Sequence, residues 1–267
     1  MPRKLSDYAG VLLDLDGTLV KHAAAMPGAV ELVRHLKSLG VPTLVVTNST
    51  NGPSRVGERL EHAGLDVDPR LILTAAQAAM DDLVVEFGKP RVFNLGQGDM
   101  DDVIRQLGTL VDVDGDQACD AVLVGTPPNA RATPDRQRHA VRLLRHGARL
   151  VGVCADRLYP SRHGLEIGCG AFCQMLAFAA GTRATFNGKP EKAFFLDACR
   201  LINADPTECL MIGDNLDADI LGAKAVGMRA GLVLGGVSTR ADAQQQPREL
   251  RPAFVADDLR AVLDVFG

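Results

Sequence analysis

Residues 10–20 read GVLLDLDGTLV. The apolar run from Gly10 to Leu13 has the composition of a short buried strand, yet it closes on Asp14 and Asp16, two carboxylates one residue apart. A strand that only crosses a core has no use for such a pair, because burying a carboxylate without a partner is costly. A strand whose end is a reaction centre does have a use for it. The question is whether other strands end beside it.

The flanking pattern supplies them. PGAVELVRHLKSLG (27–40) is an amphipathic helix with Pro27 near its start and Gly40 after its end. VPTLVVTN (41–48) reads as a second strand and PSRVGERLEHAG (53–64) as a second helix. Further on come ATFN (184–187), a helix around EKAFFLDACRLINA (191–204), the strand ECLMIGD (208–214), the helix LDADILGAKAVG (216–227) and the strand RAGLVLGG (229–236). Strands alternating with amphipathic helices predict an α/β fold with a doubly wound, mostly parallel sheet. Ligands of such sheets sit beyond the carboxyl ends of the strands. Three strands there end in polar groups: Asp14 with Asp16, Thr47 with Asn48, and Asp214. Any one of these reads as a helix cap or turn residue; all three together read as a site.

The alternation restarts within 78–183. RVFNLG (91–96), DAVLVG (120–125) and ARLVGVC (148–154) are strand-like. DMDDVIRQLG (99–108), DRQRHAVRLLRHG (135–147) and the apolar CGAFCQMLAFAAG (169–181) are helical in pattern. The expected organisation is a core domain built from 1–77 and 184–267, with an inserted α/β module at 78–183. STRADAQQQPRELRP (238–252) reads as one long polar loop.

Composition narrows the function. The chain has 267 residues, 46% of them hydrophobic and 23% charged, with a net charge of −4, which suits a folded protein with a substantial core. Its basic residues are scattered, so a nucleic-acid partner is not expected. No apolar run approaches the ~20 residues of a membrane helix, and no secretory pattern precedes the first strand; a cytoplasmic protein without a membrane partner is expected. The six cysteines form no CxxC pair, and buried reduced thiols are expected rather than disulfides or zinc ligands.

The polar groups at the strand ends define a chemistry. Asp14 and Asp16 repel each other and favour a cation between them, and oxygen donors suit Mg²⁺. Asp214 supplies a third carboxylate, with Asp217 and Asp219 just after it. Lys189, in NGKP (187–190), supplies a cation for a nucleophile and a bound phosphate. Thr47, Asn48 and the amides after them suit phosphate oxygens. A carboxylate nucleophile, a metal, a cation and neutral donors are the parts needed for phosphoryl transfer through an aspartyl-phosphate.

DLDGTLV (14–20), VVTN (45–48), NGKP (187–190) and GDNLDADI (213–220) resemble, in order, the four motifs of the haloacid dehalogenase-like (HAD) phosphatases. The insertion between the second and third motifs resembles the C2 type of cap, and the surrounding text resembles the class IIA, NagD-like subfamily. The resemblance implies a Rossmann-like core and a small phosphorylated metabolite as substrate, such as a nucleotide, phosphoglycolate or a sugar phosphate. Position by position it implies Asp14 as nucleophile and Asp16 as general acid and base. Asp14, the Asp16 carbonyl and Asp214 would be the Mg²⁺ ligands. Thr47 and Lys189 match phosphate-binding positions, and Asp219 an orienting position, with Asn215 beside it in the same motif. Asp217 is better read as a solvent-facing helix residue.

The cap text departs from the family at one point. Where relatives carry Thr-Asn-x-Asp-x-x-x-Pro, this chain has VCADRLYP (153–160), so Asp156 and Pro160 match while Val153 and Cys154 do not. Cys154 reads as a small buried residue. Asp156 and His163 are the candidates for contact with substrate from the cap.

Two other readings remain at this level: a phosphotransferase or mutase, in which a substrate hydroxyl takes the phosphoryl group, and a non-catalytic binding protein on the same fold. A monomer and a homodimer are both compatible with the sequence.

Overall fold

The computed structural model describes residues 3–113, 118–125, 131–161 and 164–267. The chain divides into two compact units: Met1–Thr47 with Pro53–Leu73 and Lys189–Gly267, and Asn48–Gly52 with Thr74–Gly188.

The first unit is built on a six-stranded sheet. Its order is Phe254–Ala256, Arg229–Val233, Cys209–Gly213, Gly10–Asp14, Thr43–Thr47, Ile72–Thr74. Gly10–Asp14 runs parallel to both of its neighbours, pairing Leu12 with Met211 on one side and with Leu44 on the other. The sheet winds outward in both directions from this strand, so the change of winding direction falls at Asp14, where α/β sheets bind ligands. Every residue of Gly10–Asp14 and Cys209–Gly213 is buried. This is why both read as unbroken apolar runs rather than alternating ones. Leu13, Leu32, Leu60, Leu210 and Ile212 are among the side chains of this unit's core.

The helices follow their caps. Ala29–Leu39 stops at Gly40, whose left-handed backbone lets its N–H reach the carbonyls of Leu36 and Lys37. Pro53–His62 buries Val56, Gly57 and Leu60 and leaves its charged face outward. The segment 238–252, expected as loop throughout, contains a short helix, Arg240–Gln245. Thr239 and Asp242 close a capping box over its first turn. A two-stranded hairpin, Val20–Lys21 with Ala24–Ala25, follows the first strand directly.

The second unit has its own core and a five-stranded sheet, ordered Ala184–Phe186, Arg149–Gly152, Ala121–Val124, Arg91–Asn94, Thr109–Val111. All four neighbouring pairs are parallel. Ala184–Phe186 pairs with Arg149–Gly152, so this strand belongs to the second unit's sheet although the sequence pattern assigned it to the core. Three residues of strand carry too little periodicity to choose between two sheets. The helices Met100–Leu107, Pro134–Arg145 and Cys169–Ala180 lie where the apolar spacing put them. Leu158–Ser161 and Gly164–Ile167 form an antiparallel pair of short strands.

In the first unit's sheet Gly231 faces Phe254 across the edge pair. A methyl on Gly231 would stand 2.0 Å from the Phe254 ring, which also packs on Phe266 at 4.6 Å between centroids. Gly231→Ala should therefore destabilise the first unit by about 1–3 kcal/mol through overpacking, seen as a lowered Tm by calorimetry. An unchanged Tm would contradict this packing.

Candidate active site

Three adjacent strands deliver their carboxyl ends to one place. Gly10–Asp14 ends in Asp14, Thr43–Thr47 ends in Thr47, and Cys209–Gly213 is followed by Asp214. Asp14, Thr47 and Asp214 are buried, as are Lys189 and Asp219. One carboxylate oxygen from each of Asp14, Asp214 and Asp219 lies within 4.8 Å of the others.

Lys189 is the positive charge among them. Its Nζ donates to Asp14 Oδ1, to Asp219 Oδ1 at 2.7 Å and to the Val46 carbonyl at 3.2 Å. An ammonium has three N–H bonds, and these are three acceptors for them. Burial disfavours the charge on Lys189, but Asp14 and Asp219 outweigh it and hold its pKa above the ordinary lysine value. Burial drives Asp14 the other way, well above the usual carboxylate range, with Lys189 opposing and Asp219 and Asp214 reinforcing. Asp214 is pushed up to about 6, first by burial and then by the charge of Asp219.

The remaining contacts separate the roles. Asp219 is committed at both oxygens, one to Lys189 and the other to the Asn215 N–H at 3.0 Å. It sits in an irregular, widened helical turn, Leu216–Leu221, whose start is capped by the Asn215 side chain accepting from the N–H groups of Asp217 and Ala218. Asp219 and Asn215 thus orient Lys189 and the turn. Asp217 is exposed, in keeping with a solvent-facing position. Asp214 Oδ2 accepts from the Val237 N–H at 2.6 Å, and Gly236 and Gly17 leave it room: a Cβ at either glycine would fall 1.6 Å or 2.5 Å from that oxygen. Gly17 also has φ +90, a conformation that favours glycine.

Asp14 Oδ2 is buried and has no hydrogen-bond partner. An orphaned carboxylate oxygen in a nest of carboxylates is the expected state of a cation ligand or a nucleophile without its counterpart. The donor set is all oxygen, the preference of a hard divalent cation. If all are ionised, the three carboxylates and one ammonium leave two negative charges in excess, which a divalent ion balances. The residues fit such an ion.

Asp16 stands apart from this nest. It lies past the strand end, its side chain 56% exposed, and is paired with Arg59. Asn48 follows Thr47 in the chain and groups with the second unit. Asp156 is half-buried in the segment after Arg149–Gly152, where its carbonyl accepts from the Gly170 N–H at 2.9 Å. His163 lies outside the described residues. Cys154 is buried, and its neighbour Cys169 together with burial raises its thiol pKa well above normal, so it is a poor nucleophile. All six cysteines are free, and all but Cys119 are buried.

Models of known families match both ends of this arrangement. The haloacid dehalogenase-like hydrolase model covers residues 11–109 and the HAD-hydrolase-like model residues 186–262. An acid sugar phosphatase of Staphylococcus aureus is 29% identical over 260 residues, 97% of this chain and 98% of that one. Among solved structures, NagD from E. coli superposes with a TM-score of 0.81 at 25% identity, covering 94% of this chain and 97% of its own. A glycerol phosphate phosphatase from Mycobacterium tuberculosis, solved in complex with calcium, gives 0.83 at 27% identity, covering 97% and 76%. The chain belongs to the haloacid dehalogenase-like hydrolases. Within them it is an enzyme of the phosphatase branch, with NagD-like neighbours.

A raised carboxyl pKa has a testable sign. Without a cation, stability should fall as pH rises from 3.8 towards about 6, because the fold disfavours the ionised form of Asp214. A cation must displace that proton, so its apparent affinity grows as pH rises through the same window. Mg²⁺ should therefore raise Tm more at pH 7.5 than at pH 5, and equal shifts would reject the assignment. Gly236→Ala, which evicts Asp214 Oδ2, should weaken Mg²⁺ binding by about tenfold or more in calorimetric titration.

Proposed function

We propose that the protein is a Mg²⁺-dependent phosphatase that hydrolyses a small phosphomonoester through a phosphorylated Asp14. The observation that carries this reading is the buried, unpartnered Asp14 Oδ2, whose sister oxygen is held by Lys189.

In this reading Asp14 Oδ2 attacks phosphorus, and the bond from phosphorus to the substrate oxygen breaks. Asp16 gives that departing oxygen its proton. Ionised again, Asp16 takes a proton from water, which attacks the phosphorylated Asp14 and frees phosphate. General acid–base help of this kind contributes typically 10²–10⁴-fold. Lys189 holds Asp14 in line and offsets the incoming phosphate charge, and Thr47 and Asn48 bind phosphate oxygens. Asp14, the Asp16 carbonyl and Asp214 would hold Mg²⁺, which when bound neutralises phosphate charge and polarises the phosphoryl group. Asp219 and Asn215 keep Lys189 and the Asp214 turn in register.

The relatives' names direct the choice of substrate. One is named for sugar phosphates and another for glycerol phosphate, so phosphate esters of sugars and polyols head the panel to be tested. We assign the protein to the cytoplasm, acting on a soluble metabolite.

Asp14→Asn should lower kcat by ~10⁴-fold or more while leaving the fold intact, as loss of a nucleophile does in other enzymes. A tenth of wild-type phosphate release would exclude Asp14 as nucleophile. Chelation should abolish activity and Mg²⁺ restore it; Ca²⁺ should restore little, since its looser coordination lets a carboxylate bind through both oxygens. Full activity after exhaustive chelation would rule out the metal dependence.

A further inference from the structure

We infer that Arg59 is a positioning residue for Asp16, acting through a fork that ties Asp16 to the hairpin behind it. The inference rests on the phosphatase reading above and deepens it.

Arg59 lies on the helix Pro53–His62, a segment that none of the four motifs includes. Its Nη2 donates to Asp16 Oδ1 at 2.5 Å and to the His22 carbonyl at 3.0 Å, and its Nε donates to the same carbonyl at 3.1 Å. One guanidinium therefore binds a side chain just past the first strand and the turn of the hairpin that follows. Asp16 is exposed, and His22 sits at the turn with φ 57, which a non-glycine residue seldom adopts. On the far side, Lys21 Nζ ties the hairpin to the Gly235 carbonyl at 3.1 Å.

Such a pair is a poor stabilising device. Half-exposed ion pairs are worth about 0–1 kcal/mol, and ordering an arginine and an aspartate costs entropy. Its geometry suits another purpose. The His22 carbonyl takes two of the guanidinium's N–H groups and so fixes its plane, and that fixed plane aims Nη2 at a single oxygen of Asp16, whereas a lysine at the same place would act as a point charge. The group it grips is the one that must meet the leaving oxygen. Misplacement of a reacting group by an ångström costs up to about 10²-fold.

The role predicts a selective defect. The parameter kcat/KM reports steps up to release of the leaving group, where Asp16 acts as acid. An alkyl phosphate needs that proton; 4-nitrophenyl phosphate, with a stable phenolate, needs it little. Arg59→Met, which keeps the stem and removes the fork, should lower kcat/KM for glycerol phosphate by roughly tenfold to 10²-fold. For 4-nitrophenyl phosphate the loss should be under about threefold, because leaving-group protonation adds little there. Arg59→Lys should fall between wild type and Arg59→Met on the alkyl ester, with the aryl ester again nearly unchanged.

Wild type measured on both esters separates the two levels of the reading. If it releases phosphate from neither, the phosphatase reading falls and this inference with it. If it is active and either variant loses equally on both esters, the fork is merely structural and the inference alone is overturned. A faster alkyl reaction in either variant would also overturn it, since Arg59 would then be restraining Asp16 from its task.

Discussion

A crowd of buried carboxylates at the ends of two adjacent parallel strands governs the first unit. Asp14, Asp214 and Asp219 meet within a few ångströms, and Lys189 is the cation set among them. In a low-dielectric interior each uncompensated charge costs several kcal/mol, and removing one partner of such a cluster is strongly destabilising. The cluster persists because every element around it is fixed from behind. The strands bearing Asp14 and preceding Asp214 are fully buried and hydrogen-bonded to each other, so neither carboxylate can retreat toward water by local movement. The site thus keeps, within a buried core, an all-oxygen donor set of the kind that suits a divalent cation.

Small residues make that concentration sterically possible. Gly213 lies so close to Asp219 that a Cβ there would fall 2.3 Å from its carboxylate, as Gly236 and Gly17 do for Asp214. Their common feature is an acidic side chain pressed against backbone that carries nothing of its own. The widened turn Leu216–Leu221 has the same logic: Asn215 caps it and Asp219 bonds back to the Asn215 N–H, so the carboxylate is aimed by the turn that bears it. Irregular helical turns of this kind are common at functional sites because regular geometry cannot place such a group.

Much of this was legible in the chain, and the division between legible and hidden has a physical basis. Strand ends are local: an apolar run closed by Asp14, Thr47 or Asp214 announces itself within seven or so residues, the usual length over which β patterning operates. The burial of Cys154 and the exposure of Asp217 were equally local inferences. Arg59 was not legible, because on an amphipathic helix it is one of several charged residues on the outward face, and nothing in the pattern says which meets Asp16. The strand pairs Val20–Lys21 with Ala24–Ala25 and Leu158–Ser161 with Gly164–Ile167 were missed for want of length, each strand having four residues or fewer. The membership of Ala184–Phe186 depended on a partner strand more than thirty residues earlier, a contact no local pattern encodes.

The pairing of Asp14 with Asp16 shows how spacing becomes chemistry. The two are identical side chains one residue apart, and on an extended strand they would share a face and an environment. The strand ends between them. Asp14 remains in the sheet, 5% exposed, beside an ammonium; Asp16 falls beyond it, on backbone turned by Gly17, and pairs with a guanidinium near solvent. A buried carboxylate fixed at one oxygen and open at the other is suited to in-line attack. A half-exposed one held at the edge of solvent is suited to carrying a proton between a departing oxygen and water. Separate environments for two carboxylates are the usual means by which a fold assigns them different tasks. Here the separation comes from where the strand ends: had it run on through Asp16, both carboxylates would share one face and one set of surroundings.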